Sequence, residues 1–353
     1  MSASLSAEQV TAHVERFLER AKDRSKFDPR KLTGLLDADW YQEEPENAEQ
    51  AEQPIAQGTS KPKKTYLRRR RMTELEQSFL IGCDPPTNDD FACVHAVFSH
   101  VGLPRKRVQG DIFKRTSGDA WLIVQPGHAD LGNGPVLQAI PYGPLSRLML
   151  VHITSYALRY STREIPIGRS ANNFLGHLGM DRDGRRYRTL RTQMHALAAC
   201  RLQLGYKGRT FNGQPVRQFD AWLAHENSQR SAWPGVVVLT TDYYDSLQNL
   251  GVPIDMRAYL RLKGSALAMD IYTWLTHRLY RIESSRPYML PWPAIKAQFG
   301  QEYKDSSNFK KEFREALANV LKEYPKAKVK LVAGGLLLAK SPPPVAPRIE
   351  LPT

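Results

Sequence analysis

The chain has 353 residues, 41% of them hydrophobic, and its 50 Lys+Arg against 36 Asp+Glu give a formal net charge of +14. Such a length fits two domains and an appendage at ~100–200 residues per domain, and the positive excess favours a polyanionic partner such as nucleic acid. Three cysteines, Cys83, Cys93 and Cys200, are too few for a disulfide framework or a four-thiolate metal site, and with no apolar run of about 18 residues the expectation is a cytoplasmic protein with no membrane segment.

Ser6 with Ala7-Glu8-Gln9 reads as a capping box, and Val10, Val14, Phe17, Leu18 and Ala21 recur behind it at helical spacing. A helical appendage is expected over 1–36. Seven acidic residues and no basic one lie between Asp37 and Glu52, and seven basic residues and no acidic one between Lys61 and Arg71. Residues 37–72 therefore read as an acidic/basic flexible linker, whose block 61–71 either touches DNA phosphates or folds back on its acidic neighbour. Residues 91–101 look helical, and Asp111–Arg115, a Ser117-Gly118-Asp119 turn and Trp121–Val124 form a hairpin.

Leu145–Tyr160 is apolar nearly all round and reads as a buried helix. Glu164–Gly168 is a short strand or connector. Ser170 caps a second helix that Gly179 ends. Over 185–199, Leu190, Met194 and Leu197 cluster on one side, with Arg185, Arg188, Arg191, Thr192 and His195 opposite. A hairpin follows: 202–206, a tip carrying Lys207, Arg209 and an Asn212-Gly213 turn, and a return through Phe219, Ala221 and Leu223. Three helices and then a hairpin with a basic tip is a winged-helix order, expected over 73–232.

The order recurs over 233–342. Ser265–Tyr280 is a largely apolar helix, and Pro291-Trp292-Pro293 starts a shorter one that stops at Gly300. Phe309–Lys322 sets Phe309, Phe313, Ala316, Leu317 and Val320 against Lys311, Arg314 and Lys322, with Lys310 on the flank. Lys326, Lys328 and Lys330, spaced by two, are expected on one face of the next strand, and Gly334-Gly335 turns into Leu336–Leu338. A Pro-rich tail, 343–353, ends the chain. The fold class is thus α+β: two tandem winged-helix domains with a helical N-terminal appendage and a flexible linker.

Signs of catalysis are weak. There is no P-loop. His13-Val14-Glu15 lacks the Pro-Cys-x-x-Cys partner of a deaminase, Cys93 and His95 lack two further metal ligands, and no His-apolar-His triplet marks a strand-nicking initiator. Asp89-Asp90 suits a helix start, and Asp181-Arg182-Asp183-Gly184 a turn. No catalytic residue, metal or cofactor is expected. What carries chemistry is the coincidence of each basic helix face with a basic hairpin. Arginine bonds guanine O6 and N7 as a fork, and a helix fits the major groove. Arg185, Arg186, Arg188 and Arg191, beside Thr192 and His195, are the candidate base readers. Lys207, Arg209, Lys310, Lys311, Arg314, Lys326, Lys328 and Lys330 complete the candidate contacts, the wing lysines on phosphates.

Residues from about 111 to 342 resemble plasmid-encoded RepA-type replication initiators. The resemblance rests on Pro141-Tyr142-Gly143 with Arg147; Arg163-Glu164-Ile165 to Gly168; Asn173-Phe174-Leu175 to Leu178-Gly179; Asp270–Leu275; Gln298-Phe299-Gly300 to Tyr303; Phe309-Lys310 to Tyr324-Pro325; and Gly335-Leu336 to Ser341-Pro342. It implies tandem winged helices that bind repeated double-stranded sites at an origin and open an adjacent A+T-rich region. It also implies recruitment of the host initiator and replicative helicase, and repression of the protein's own promoter as a homodimer, all without enzymatic chemistry. A winged-helix transcriptional regulator without an origin function shares the charge pattern. An enzyme that nicks or primes DNA is the third reading.

Overall fold

The computed structural model describes Pro86 and residues 90–345, apart from 132, 220–232, 234 and 285. The expected N-terminal helix, the linker 37–72, Cys83 and residues 346–353 lie outside the described residues. Among those described, fourteen strands and eight α-helices make a mixed α/β fold with small antiparallel sheets.

The first strand corrects an expectation. Residues 91–95 are not helical but form β1 (Phe91–His95), followed by one 3₁₀ turn over Ala96–Ser99. A short apolar run fits either period, and here β11 (Gly251–Asp255) supplies a complete antiparallel ladder, from Phe91↔Asp255 to His95↔Gly251. The Cys93 N–H also donates to Ser155 Oγ at 2.9 Å. The hairpin expected next is present as β2 (Phe113–Ser117) and β3 (Ala120–Gln125), and a ribbon of β4 (His128–Asp130) and β5 (Pro135–Leu137) follows.

Two helix-and-sheet units then share one order. In the first, α1 (Gly143–Tyr160), β6 (Glu164–Pro166), α2 (Ala171–His177) and α3 (Gly184–Ala199) precede β9 (Val216–Phe219) and β10 (Val236–Leu239), and the sheet runs β6-β10-β9. Across the expected boundary at 232/233, β10 pairs with both earlier strands. After α4 (Thr241–Leu250), β11 and α5 (Met256–Arg261) comes the second unit. It consists of α6 (Ala266–Tyr280), β12 (Tyr288–Pro291), α7 (Trp292–Phe299), α8 (Ser306–Glu323), β13 (Val329–Val332) and β14 (Gly335–Leu338), with sheet order β12-β14-β13. In each, the last strand is central.

The helix starts follow from their caps. Ser170 Oγ accepts from the Asn173 N–H at 3.1 Å, Asp183 Oδ1 from Arg186 at 2.7 Å and Asp305 Oδ2 from Asn308 at 2.7 Å. The Asp305 cap sets the start of α8 at Ser306, ahead of Phe309.

Between α3 and β9 the chain makes an inserted hairpin whose register differs from expectation. Its strands are β7 (Arg201–Tyr206) and β8 (Arg209–Gly213), and its turn is Lys207-Gly208, at φ 49 and 77. Two consecutive positive φ values give the primed turn that suits a two-residue hairpin. Asn212 and Gly213 lie inside β8 instead, because Asn212 Oδ1 accepts across the ladder from Arg201 at 3.1 Å and Gln203 at 3.1 Å. This hairpin completes the sheet β2-β3-β7-β8, while Phe219 belongs to β9. Ala221 and Leu223 lie outside the described residues.

A buried polar joint connects the units. Arg147 on α1 donates from Nε and Nη2 to Asp270 on α6 at 2.7 and 2.9 Å, and to the carbonyls of Leu103, Pro104 and Gly143. Arg105 Nε reaches Asp270 at 3.5 Å, and Arg115 pairs with Glu302 while bonding the Gly102 carbonyl at 3.1 Å. Around it, the second core stacks Trp274 on Phe299 and Phe299 on Phe313, with centroids 5.3 and 5.6 Å apart.

Backbone approach is close where β14 meets β12. At Gly335, φ is +153 and an added Cβ would lie 2.1 Å from the Leu290 carbonyl oxygen. Gly335→Ala is expected to cost at least about 2 kcal/mol through strained φ and the clash. A urea midpoint equal to that of the parent protein would contradict this.

Candidate nucleic-acid interface

On α3, Arg185, Arg188 and Thr192 are exposed and Arg186 and Arg191 half-buried, while Leu190, Met194 and Leu197 are buried. The helix thus has the two faces its spacing predicts over its first half. Gln193 fixes it, accepting at Oε1 from the Tyr142 N–H at 2.9 Å and from Ser146 Oγ at 2.6 Å. Thr192 turns its hydroxyl back to the Arg188 carbonyl at 3.0 Å.

His195 does not share the exposed face. It is 4% exposed, because the chain after β3 crosses the C-terminal half of α3. A Cβ on Gly127 would sit 1.9 Å from the Ala199 carbonyl oxygen. Burial, and secondarily Arg191, push the imidazole down to about 4, so it is neutral at pH 7. A helical wheel treats every turn alike and cannot register such a cover.

On α8, Lys311, Arg314 and Lys322 are exposed opposite buried Phe309, Phe313, Ala316, Leu317 and Val320, with Lys310 half-buried on the flank. The Lys310 ammonium and the Arg314 guanidinium lie over the Trp292 ring, 5.6 and 5.3 Å from its centroid. Trp292 itself donates from Nε1 to the Ala333 carbonyl at 3.1 Å, and its N–H bonds Gly334 at 3.0 Å. One buried ring therefore ties the β13–β14 turn to two cations of α8. Of the acids on α8, Glu312 accepts from the Tyr303 hydroxyl at 2.5 Å, Glu323 is buried against Arg261 at 2.7 Å, and Glu315 is exposed one turn on from Lys311, partly offsetting the cationic face.

The hairpin cations are less well arranged than their spacing suggests. Lys326, Lys328 and Lys330 are all exposed, but only Lys330 lies in β13. Lys326 sits in a turn closed by the Ala327 N–H on the Tyr324 carbonyl at 3.0 Å, and Lys328 is held by Ser341 Oγ at 2.9 Å. Lys207 and Arg209 are exposed at the β7–β8 turn, which belongs to the four-stranded sheet and not to β6-β10-β9. The connection that closes the first unit's own sheet runs from β9 to β10, and most of it lies outside the described residues. Arg217, exposed on β9 beside buried Val216, is the basic residue sequence reasoning missed. Val216 to Phe219 reads apolar-polar-polar-apolar, so no period-2 signal marked it.

Among the described residues the cysteines and acids do not assemble into a metal centre. Cys93 and Cys200 are thiols pushed up to about 12, chiefly by burial. Among the described residues no three His, Cys, Asp or Glu side chains come together as a metal site, and no helix is long and apolar enough to cross a membrane.

No curated protein matches this chain. Two crystal structures of RctB domains 2 and 3 are similar at 10% identity. The first covers 69% of this chain and 94% of that one with a TM-score of 0.42. The second, a selenomethionine derivative, covers 69% and 93% with a TM-score of 0.43. Residues 140–293 match the family model described as plasmid encoded RepA protein, a stretch that holds the Pro141-Tyr142-Gly143, Arg147, Asn173-Phe174-Leu175 and Asp270–Leu275 motifs. Over those residues, less than half of its length, the chain is similar to plasmid-encoded RepA proteins.

Proposed function

We propose that this protein is a plasmid replication initiator that binds repeated double-stranded sites at an origin through two winged-helix units. The observation that carries the reading is the shared unit order, helix, strand, two helices and two strands with the last strand central, in which each third helix turns its cations outward. In a winged helix that third helix enters the major groove. Arg185 and Arg188 on α3 and Lys311 and Arg314 on α8 would face the DNA, with Arg186, Arg191 and Thr192 beside the first pair and Lys310 beside the second. Arg209, Lys326, Lys328 and Lys330 would hold phosphates. Bound to its repeats, the protein promotes opening of an A+T-rich neighbour, recruits the host initiator and replicative helicase, and represses its own promoter as a dimer. None of these steps requires it to make or break a covalent bond. Metal-dependent strand cleavage or primer synthesis by the purified protein would overturn the non-enzymatic part.

Footprinting on the DNA flanking the gene tests the reading. Repeated protected blocks, each about two helical turns for two units, are expected. A single isolated palindrome would make the protein a regulator instead. Arg188→Ala should weaken the cognate repeat by about 1–3 kcal/mol and random DNA far less. Lys328→Ala should weaken both and lower the salt slope by about one phosphate. Equal losses on both DNAs from both substitutions would refute this division of labour.

A further inference from the structure

The β7–β8 turn that was expected to be a wing instead borders a cleft of about 620 Å³ facing the second unit. One wall is made by Ser117-Gly118-Asp119 in the β2–β3 turn and by Tyr206 and Lys207; the other is made by α6 and α7, including Arg278 and Gln298. The walls are fastened to each other. Gln298 Nε2 donates to the His100 carbonyl at 3.1 Å, and Gln301 Nε2 to the Thr116 carbonyl at 3.0 Å. The space therefore exists before any ligand arrives, which spares a ligand the cost of forming it.

Its chemistry is cationic and aromatic. His100 lies against Tyr206 with ring centroids 4.9 Å apart, and the Lys207 ammonium stands 5.5 Å from the Tyr206 centroid. Two nitrogens of lining residues, His100 Nε2 and Arg278 Nε, are buried without a hydrogen-bond partner. The field has a definite sign. His100 is pushed down to about 4 by burial and then by Arg278, Arg281 and Lys207, with only Asp119 opposing. His277 behind it is pushed down to about 3 by burial, Arg281, His100, Lys207 and Arg278. Three cations act there against one carboxylate, so an anion is the natural guest. The volume far exceeds that of a bare phosphate and lies within the range of organic-ligand sites, and two aromatic rings, tilted 35° to each other beside cations, suit a base carrying phosphate.

We propose that this cleft binds a nucleotide, with its phosphate on Lys207 and Arg278 and its base against the Tyr206–His100 wall. The site is separate from the α3 and α8 faces and does not depend on what those faces read. The same chemistry is presented by a free nucleotide and by an unpaired nucleotide of a single strand.

Calorimetric titration of the full chain with ADP, inorganic phosphate and a short oligothymidine tests it. The informative variants are Lys207→Asn, which suits the positive φ of the turn, and Asp119→Asn, which removes the opposing carboxylate. Both positions are exposed turn residues, and unchanged circular dichroism checks the fold. ADP should bind more tightly than inorganic phosphate, Lys207→Asn should weaken it roughly fivefold, and Asp119→Asn should tighten it roughly threefold. Saturation by ADP identifies the guest as a free nucleotide. The same opposed responses with oligothymidine, without ADP saturation, place a strand's nucleotide there. Absence of saturable binding by either, or affinities that neither substitution moves, would overturn the assignment.

Discussion

Lowering the pH from 7 toward 4 is expected to remove most of this protein's stability, because five histidines are folded in their neutral form. His95, His152 and His195 are pushed down to about 4, chiefly by burial. Like charge adds to burial for the last two, from His177 and Arg159 at His152 and from Arg191 at His195, while the Pro166 carbonyl opposes it at His152. His100 and His277, at about 4 and about 3, share the cationic surroundings of the cleft.

A ring whose folded value lies below its unfolded value of about 6.5 binds its proton more readily in the unfolded chain. Unfolding then takes up protons, and stability falls as pH drops through 6.5 until the folded rings themselves titrate near 4. A fully buried ring such as His95, 1% exposed, loses on the order of 3 kcal/mol across that window. Several such losses rival the 5–15 kcal/mol typical of a whole domain. Urea unfolding at pH 7, 6, 5 and 4.5 should show a steepening decline. A flat profile between pH 7 and 5 would mean that these rings are solvated.

Asp270→Ala is expected to cost about 3–5 kcal/mol, the penalty of leaving a buried charge without its partner. Arg147 is 5% exposed and spends all three guanidinium nitrogens on Asp270 and three carbonyls. The cluster already holds three arginines against Asp270 and Glu302, and the terminal nitrogens of Arg105 are buried without a hydrogen bond. Removing Asp270 leaves Glu302 as its one carboxylate. Arg105→Met, which removes the surplus cation, should be far milder than Asp270→Ala in the same denaturation series. If the two cost equally, charge balance is not what governs the joint.

The helices α1, α2, α3, α6, α7 and α8 were legible because each rests on local rules: a cap at Ser170, glycine at 179, and core residues at helical spacing. The Asp183 cap was hidden in what reads as a turn, and α4 and α5 were not foreseen. What sequence did not reveal depends on partners far along the chain. Phe91–His95 is a strand only because Gly251–Asp255 lies beside it. The Asn212-Gly213 pair is a strong turn signal, yet Arg201 and Gln203 hold Asn212 within the ladder. The net charge misled in a different way. Arg105, Arg115 and Arg147 count toward +14 but are spent inside the joint, and no local pattern separates them from Arg185 or Arg188. Only Arg147 stood out, through its place in a stretch that resembles the RepA family, and its pairing with Asp270 emerges from the fold alone.

The β1–β11 ladder sets an order of events during synthesis. Phe91 leaves the ribosome long before Asp255 does, and at roughly 5–20 residues per second β1 waits on the order of ten seconds for β11, its one sheet partner among the described residues. Throughout that interval Ala92, Cys93 and Val94, all buried in the finished protein, are exposed as an unpaired apolar strand, the kind of segment that holdase chaperones cover. Chains truncated before residue 251 should therefore be recovered bound to such chaperones, while those extending past α5 release them.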